Sequence, residues 1–319
     1  MSFLERVGNF NVLIIGDVMI DTYLNGKVSR ISPEAPVPVV EFRSRVERLG
    51  GAANVALNIK ALDANPLLLS IVGDDDNGVL FRELLHSEHI SSKYIIEIPG
   101  RQTTIKTRIM SGNQQLLRID KEDISDLDVH QMTLVEGRLL EILNAEEIKV
   151  IILQDYNKGL LTEALIQKII ESANTLGIPV VVDPKRKNFF AYKNVALFKP
   201  NFKEISEALS ARADINIEEL RRLAISLNAM MPHQMTMITL SEKGIFTFDG
   251  EKSNLSPTQP RNIADVCGAG DSVIAVAALG IAAGENITEV ARIANIAGGQ
   301  VCEEIGVVPV CKEKLLAEI

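Results

Sequence analysis

The sequence predicts an α/β fold built on a mostly parallel sheet, with a small additional β-sheet. Three observations predict it. Short β-branched runs alternate with amphipathic helical runs along most of the chain, which is the rhythm of βαβ units. Two stretches break that rhythm with strand-and-turn signals of a different kind. The strand-like runs end in polar residues, at Gly16-Asp17, Asp155, Asp183 and Asn201, and ligands of open parallel sheets sit at such carboxyl ends. Any one of these polar ends is explained as an ordinary strand terminus; their clustering is what points to a site.

Taken in order, Val12-Leu13-Ile14-Ile15 is the first strand, closed by Gly16-Asp17. A helix follows Gly50-Gly51 and runs to about Ala61. Leu67 to Val72 is a strand and about Gly78 to His89 a helix. Val37 to Phe42 is a strand outside the rhythm, and Thr103 to Met110 and Gln114 to Ile119 flank Ser111-Gly112-Asn113, a hairpin turn. These pieces read as a small sheet placed to close over a site as a lid, with lid segments at about 20–45 and 94–120 of a single domain over 1–319. Alternation resumes with a strand at Val150 to Leu153, a helix at Thr162 to Thr175 capped by Thr162, and a strand at Val180 to Val182 before Asp183-Pro184. Ala196 to Phe198, Met235 to Leu240 and Gly244 to Phe248 are strands; Asp271 to Ala283 and Ile287 to Cys302 are helices whose small residues predict close packing.

Composition excludes several classes. Lys plus Arg is 33 against 42 Asp plus Glu, a net charge of −9 that argues against a nucleic-acid surface while leaving room for a local basic pocket. No run of about 18 apolar residues predicts a membrane helix, and Met1 to Arg6 carries no apolar signal segment. A cytoplasmic protein is expected. Cys267, Cys302 and Cys311 have no CxxC spacing and read as reduced thiols. His86 and His89 share a predicted helix face but lack further ligands nearby, so surface histidines are the better reading.

The sharpest motif is Asp265-Val266-Cys267-Gly268-Ala269-Gly270-Asp271, opening directly into an Ala/Val helix. Glycines before a helix let backbone N–H groups face an anion, helped by the helix dipole. An Asp there repels phosphate, yet suits a base beside a transferring group; a plain N-cap is the competing explanation. There is no GxxxxGK[ST]. A G-x-G-x-x-G after the first strand is also missing, which weighs against an NAD-dependent enzyme.

With these residues in view, the chain resembles the ribokinase-like (PfkB) family of carbohydrate kinases. Gly268-Ala269-Gly270-Asp271 is similar to that family's GAGD motif, Gly50-Gly51-Ala52-Ala53-Asn54 to its sugar-side glycines, and Asn201-Phe202-Lys203-Glu204 to its N-x-x-E motif. The string from Ser29 to Val39, Asn113 to Asp120 and Asp155-Tyr156-Asn157-Lys158-Gly159 resemble more narrowly the kinase domain of bacterial ADP-heptose synthesis enzymes. The resemblance implies a three-layer α/β/α sandwich with a β-sheet lid. It also implies phosphorylation of the anomeric hydroxyl of D-glycero-β-D-manno-heptose 7-phosphate by ATP. Many such domains are fused to a nucleotidyltransferase, so a stand-alone kinase or a domain of a longer enzyme is expected, with a nucleotidyltransferase, fused or separate, acting later in the pathway.

The resemblance also implies roles. Asp271 is the general base, and Gly268, Ala269 and Gly270, with the Asp271 N–H, form the anion hole for the γ-phosphoryl group. Asp21, Gly50, Gly51 and Asn54 hold sugar hydroxyls. Asn201 and Glu204 orient Mg²⁺ and the ATP phosphates through water. Thr239, Ser241 and Gly244 resemble the nucleotide loop T-x-G-x-x-G, with Ser241 in place of the middle glycine, and Asn295 borders the adenine. Asp155, Gln115, Lys106, Arg108, Arg118, Lys158 and Lys185 are candidates for the sugar and its phosphate, against a solvated-surface explanation for two or three of the cations. A monovalent cation, K⁺, sits near Asp265 in some relatives, and the lid sheet often forms a homodimer interface. Cys267 stands where related chains carry Thr, which removes a hydroxyl but leaves the backbone N–H groups. Rival readings are another kinase of the family, acting on ribose, fructose or fructose 6-phosphate, and a non-catalytic sugar- or nucleotide-binding regulator.

Overall fold

The computed structural model describes residues 2–319. The strands are β1 (Asn11–Gly16), β2 (Val18–Ile31), β3 (Pro38–Gly51), β4 (Asn65–Gly73), β5 (Ile95–Ile98), β6 (Ile105–Ser111), β7 (Gln114–Lys121), β8 (Ile148–Gln154), β9 (Val180–Asp183), β10 (Leu197–Phe198), β11 (Met235–Thr239), β12 (Ile245–Phe248) and β13 (Ser253–Ser256). The helices are α1 (Ala52–Ala61), α2 (Asp76–Ser87), α3 (Val129–Ala145), α4 (Glu163–Thr175), α5 (Phe202–Ala208), α6 (Ile217–Met230), α7 (Ala269–Ala282), α8 (Ile287–Val301) and α9 (Lys312–Glu318).

Nine strands form one sheet in the order β13-β12-β11-β10-β9-β8-β1-β4-β5. Pairing is parallel from β10–β11 through to β4–β5, and β12 and β13 attach antiparallel. The apolar run of β1 shows why helices cover both faces. Val12 and Ile14 enter one buried cluster with α1, α7 and α8, while Leu13 and Ile15 enter another with α3, α4 and α6. A strand buried on both sides reads as a continuous apolar run. The three-layer α/β/α arrangement follows.

α7 is buried from Asp271 through Gly280, with alanine at three of those positions. Its small residues admit close neighbours: a Cβ added to Gly280 would lie 2.5 Å from Val290 Cγ2 on α8. The thiol-free, hydroxyl-poor middle of α7 therefore serves packing, and its chemistry is confined to the N-terminal turn.

The second sheet has four strands in the order β3-β2-β6-β7. β2 and β3 form a long hairpin from Val18↔Gly51 to Ile31↔Pro38, so its base leads directly out of β1 and into α1. The expected lid range starting near 94 is shorter in the structure. Ile95–Ile98 instead pairs with β4 in the large sheet, where Ile95 and Ile98 bury their side chains. Among the described residues, no helix is long and apolar enough to cross a membrane.

Candidate active site

The N-terminus of α7 lies where β1, β8 and β9 end. β1 sits between β8 and β4, the point at which the strand order turns. Gly268 caps α7 in the left-handed region (φ 83°), and a Cβ there would lie 2.9 Å from Asn54 Nδ2. Only glycine meets both conditions. Among the described residues, no protein acceptor takes the N–H of Gly270 or Asp271. Unpaired N–H groups at the positive end of a helix are suited to an anion.

Asp271 is buried, and its carboxylate has defined partners. Oδ2 accepts from Asn54 Nδ2 at 2.7 Å; Oδ1 accepts from Tyr156 Oη at 2.8 Å and Gln154 Nε2 at 3.2 Å. Burial pushes its pKa up to about 6, against the downward pull of Asn54 and Tyr156. A carboxylate that ionises just below neutrality, beside an N–H turn, is equipped to take a proton next to an anion.

A buried charge network supports it. Gln154 Nε2 also donates to Asp183 Oδ2 at 3.2 Å, and Lys199 Nζ lies 3.0 Å from the same oxygen. Lys199 Nζ is 4.0 Å from where a Gly270 Cβ would be, so the cation adjoins the N–H turn. Glu204 completes a capping box with Asn201 on α5 and receives Lys185 at 2.6 Å. Burial opposes the Lys185 charge, but the carboxylates of Asp183 and Glu204 outweigh it and raise its pKa.

On the small sheet, Asp21 of β2 is buried and ion-paired with Arg108 of β6. Gly50, on the facing strand, makes room for it: a Cβ there would stand 2.2 Å from Asp21 Oδ2. The Arg108 guanidinium lies over the Tyr23 ring at 5.3 Å. Cys267 faces this cluster, its thiol pushed to about 11 by burial and by Asp265. Asp265 accepts from Cys267 N at 3.1 Å and Gly306 N at 3.0 Å, and these donors overcome burial to hold its pKa low. Arg48 of β3 donates to the Ile305 and Val307 carbonyls, tying the β2–β3 hairpin to the same loop.

The remaining candidates are more dispersed. Asp155 turns inward, accepting from Tyr192 Oη at 2.7 Å and Asn157 N at 2.7 Å. Its pKa rises to about 6 through burial and the neighbouring Asp17. Lys158 lies at the rim, paired with Glu122 at 2.7 Å. Lys106 pairs with Asp120 at 3.0 Å. Gln115 and Arg118 lie on β7; Gln115 is exposed, and Arg118 binds Asp120 with its side chain about half exposed. Thr239 bridges Asn201 next to α5. Ser241 (φ 55°) and Gly244 (φ 99°) shape the β11–β12 turn. Asn295 on α8 donates to the Ser256 and Pro257 carbonyls at the wall of a cleft of about 430 Å³, between β13 and α8. Gln154, Tyr156 and Lys199 were not singled out as site residues in the sequence.

Residues 9–314 match the pfkB family carbohydrate kinase signature. The chain belongs to that family. It is a sugar kinase, a phosphotransferase acting on an alcohol group, and membership implies ATP and commonly Mg²⁺. The bifunctional protein HldE of Citrifermentans bemidjiense is 38% identical over 321 residues, covering 100% of this chain and 65% of the relative. HldE of Campylobacter jejuni is 40% identical over 306 residues, covering 95% of this chain and 63% of the relative. The chain thus spans under two thirds of the length of these relatives. Phosphofructokinase-2 from Escherichia coli, in complex with substrates and products, aligns with a TM-score of 0.80 at 19% identity, over 97% of each chain. Arabidopsis thaliana ribokinase complexed with ribose and ATP gives 0.73 at 17%, over 97% of this chain and 99% of that one. These two establish the ribokinase-like fold.

Proposed function

We propose that this pfkB kinase transfers the γ-phosphoryl group of ATP to the anomeric hydroxyl of D-glycero-β-D-manno-heptose 7-phosphate, giving the 1,7-bisphosphate. The observation that carries the substrate is the resemblance of Ser29–Val39, Asn113–Asp120 and Asp155–Gly159 to ADP-heptose synthesis kinases, together with similarity to HldE proteins along the whole chain. In this reading the reaction is cytoplasmic and a nucleotidyltransferase, fused or separate, uses the product later. Residues 1–319 act as one kinase domain with the β3-β2-β6-β7 sheet as its lid.

Asp271 takes the proton of the attacking hydroxyl, and the N–H groups of Gly268 to Asp271 receive the charge on the transferring group. Phosphoryl transfer depends mainly on such positioning and electrostatics. Asp21 and Asn54, given space by Gly50 and Gly51, orient the sugar; Arg108 and, at the rim, Lys158 and Lys185 meet its negative charge. The base of ATP lies toward Thr239, Ser241, Gly244 and Asn295, beside the cleft between β13 and α8. Asn201 and Glu204 would hold Mg²⁺ through water, and the ion would supply charge neutralisation at the phosphates. The exposed apolar residues Ile31, Phe42, Leu117 and Ile119 on the small sheet support a homodimer through that sheet.

The test is ADP release with ATP and Mg²⁺ against heptose 7-phosphate, ribose, fructose and fructose 6-phosphate. Selective turnover of the heptose supports the reading, and preference for another sugar overturns the substrate. ATP binding without any turnover favours the regulator. Replacing K⁺ by Na⁺ in the same assay tests the monovalent cation beside Asp265.

A further inference from the structure

We infer that Tyr156 is a positioning residue for this reaction: its hydroxyl occupies Oδ1 of Asp271, so that the carboxylate offers Oδ2 to the acceptor hydroxyl. The inference rests on the reading of Asp271 as the base and goes beyond it by naming the oxygen and the group that selects it.

The hydrogen-bond inventory carries it. Each carboxylate oxygen offers about two lone-pair sites. Oδ1 has both filled, by Tyr156 Oη at 2.8 Å and Gln154 Nε2 at 3.2 Å. Oδ2 has one filled, by Asn54 Nδ2 at 2.7 Å. The open site is therefore on Oδ2, on the side of Asn54 and the Gly268 turn.

Tyr156 is itself held firmly. Its N–H donates to Asp17 Oδ2 at 2.9 Å, and the same carboxylate takes the N–H of Lys158 at 3.0 Å and of Leu160 at 3.3 Å. Asn157 (φ 54°) and Gly159 (φ 88°) fix the loop's turn, and a Cβ on Gly159 would strike the Ser125 carbonyl at 1.9 Å. Lys185 Nζ lies 5.6 Å from the ring centroid, a cation–π contact. Burial and the carboxylates of Asp271 and Asp183 push the phenol pKa well above its ordinary value, so the hydroxyl stays a donor throughout the working pH range.

The charged and polar groups around Asp271 are Asn54 from α1, Gln154 and Tyr156 at the end of β8, Asp183 and Lys185 at and after the end of β9, and Lys199 after β10. Burial and Asp183 favour the protonated acid; Tyr156, Asn54 and Lys199 favour the ionised base. Removing the Tyr156 hydroxyl therefore moves the acid limb of activity upward.

The experiment is the pH profile of kcat/KM and the plateau kcat for wild type, Tyr156→Phe and the chain carrying 3-fluorotyrosine at 156, with Asp271→Asn as reference and calorimetric ATP affinity for each. Tyr156→Phe is expected to raise the acid limb by about one pH unit and lower plateau kcat about tenfold, with ATP affinity unchanged. The fluorinated side chain, a stronger donor of nearly the same shape, is expected to move the acid limb down. It keeps the test decisive if the phenylalanine variant does not fold. An acid limb unmoved by either change overturns the inference. Asp271→Asn separates the two readings: if it retains turnover, the base reading falls; if it is inactive while the limb stays put, only the role of Tyr156 falls.

Discussion

Asp271 should cost the fold stability as it ionises, and the cost has a definite size. Burial raises its pKa from 3.8 to about 6. A displacement of about two pH units, at 1.36 kcal/mol each, is about 3 kcal/mol. Because the folded-state pKa is the higher one, the folded chain binds the proton more tightly than the unfolded chain. Its stabilising contribution is fully present below about pH 4 and is lost as pH rises through about 6. Asp271→Asn removes that titration. Any fixed penalty of the amide, such as its NH₂ facing the donors Asn54 and Tyr156, is independent of pH and cancels in the comparison. Asp155, also pushed to about 6, titrates in both chains. Urea unfolding of both proteins at about pH 4 and about pH 7 should therefore show the variant gaining about 3 kcal/mol on wild type across that window. The kinetics of the same variant should show loss of nearly all turnover with ATP still bound. A stability difference that does not change with pH, or that moves toward wild type as pH rises, refutes the account of Asp271 as a desolvated carboxylate.

Gly50→Ala places a methyl 2.2 Å from Asp21 Oδ2, so Asp21 must move; KM for the sugar should rise about tenfold or more while KM for ATP holds, measured by steady-state kinetics. Arg108→Ala leaves Asp21 buried without its partner and should cost about 3–5 kcal/mol in urea unfolding, whereas Arg118→Ala, whose exposed pair with Asp120 is a surface contact, should stay within about 0.5 kcal/mol. The Cys267 thiol, held near 11, is almost wholly protonated at neutral pH; iodoacetamide with mass mapping should label exposed Cys311 well before Cys267, and equal labelling would contradict the burial argument.

The parallel half of the fold was legible because strands buried on both faces leave apolar runs that need no tertiary knowledge: β1, β4, β8 and α4 lie within two residues of their expected places at most ends. Thr162 caps α4 by accepting from Leu165 N at 3.3 Å, as its position ahead of the apolar run suggested. The small sheet was only partly legible. Val37 to Phe42 and the Ser111-Gly112-Asn113 hairpin stood out, but β2 did not. Its outer half faces solvent, with Lys27, Ser29, Arg30 and Ile31 exposed, so its pattern carries no burial periodicity. α3 and α6 went unread for a related reason. Val129, Leu134 and Leu140 are exposed on α3, and Ile217, Ile225 and Met230 on α6, so apolar residues fall on both faces and blur the 3.6-residue period.

The site divides along the same physical line. Its backbone half was readable, because glycines announce left-handed turns and close approaches: Gly268, Gly50 and Gly51 each meet such a constraint. The N–H groups of Gly270 and Asp271 are left unpaired whatever side chain stands at 267, and the Cys267 thiol faces Asp265 instead. The side-chain half was hidden. Tyr156, Gln154 and Lys199 take their importance from converging on Asp271 and Asp183, and that convergence exists only once β8, β9 and β10 lie side by side. A lysine at a strand end reads as a surface cation until its ammonium is found almost fully buried against a carboxylate. The expected cations sort by the same criterion. Arg108 is desolvated against Asp21 and has a defined position, whereas Arg118, one strand further out, keeps half of its side chain in water. What separates these two arginines is desolvation, and with it the strength of the interaction each makes with its carboxylate partner.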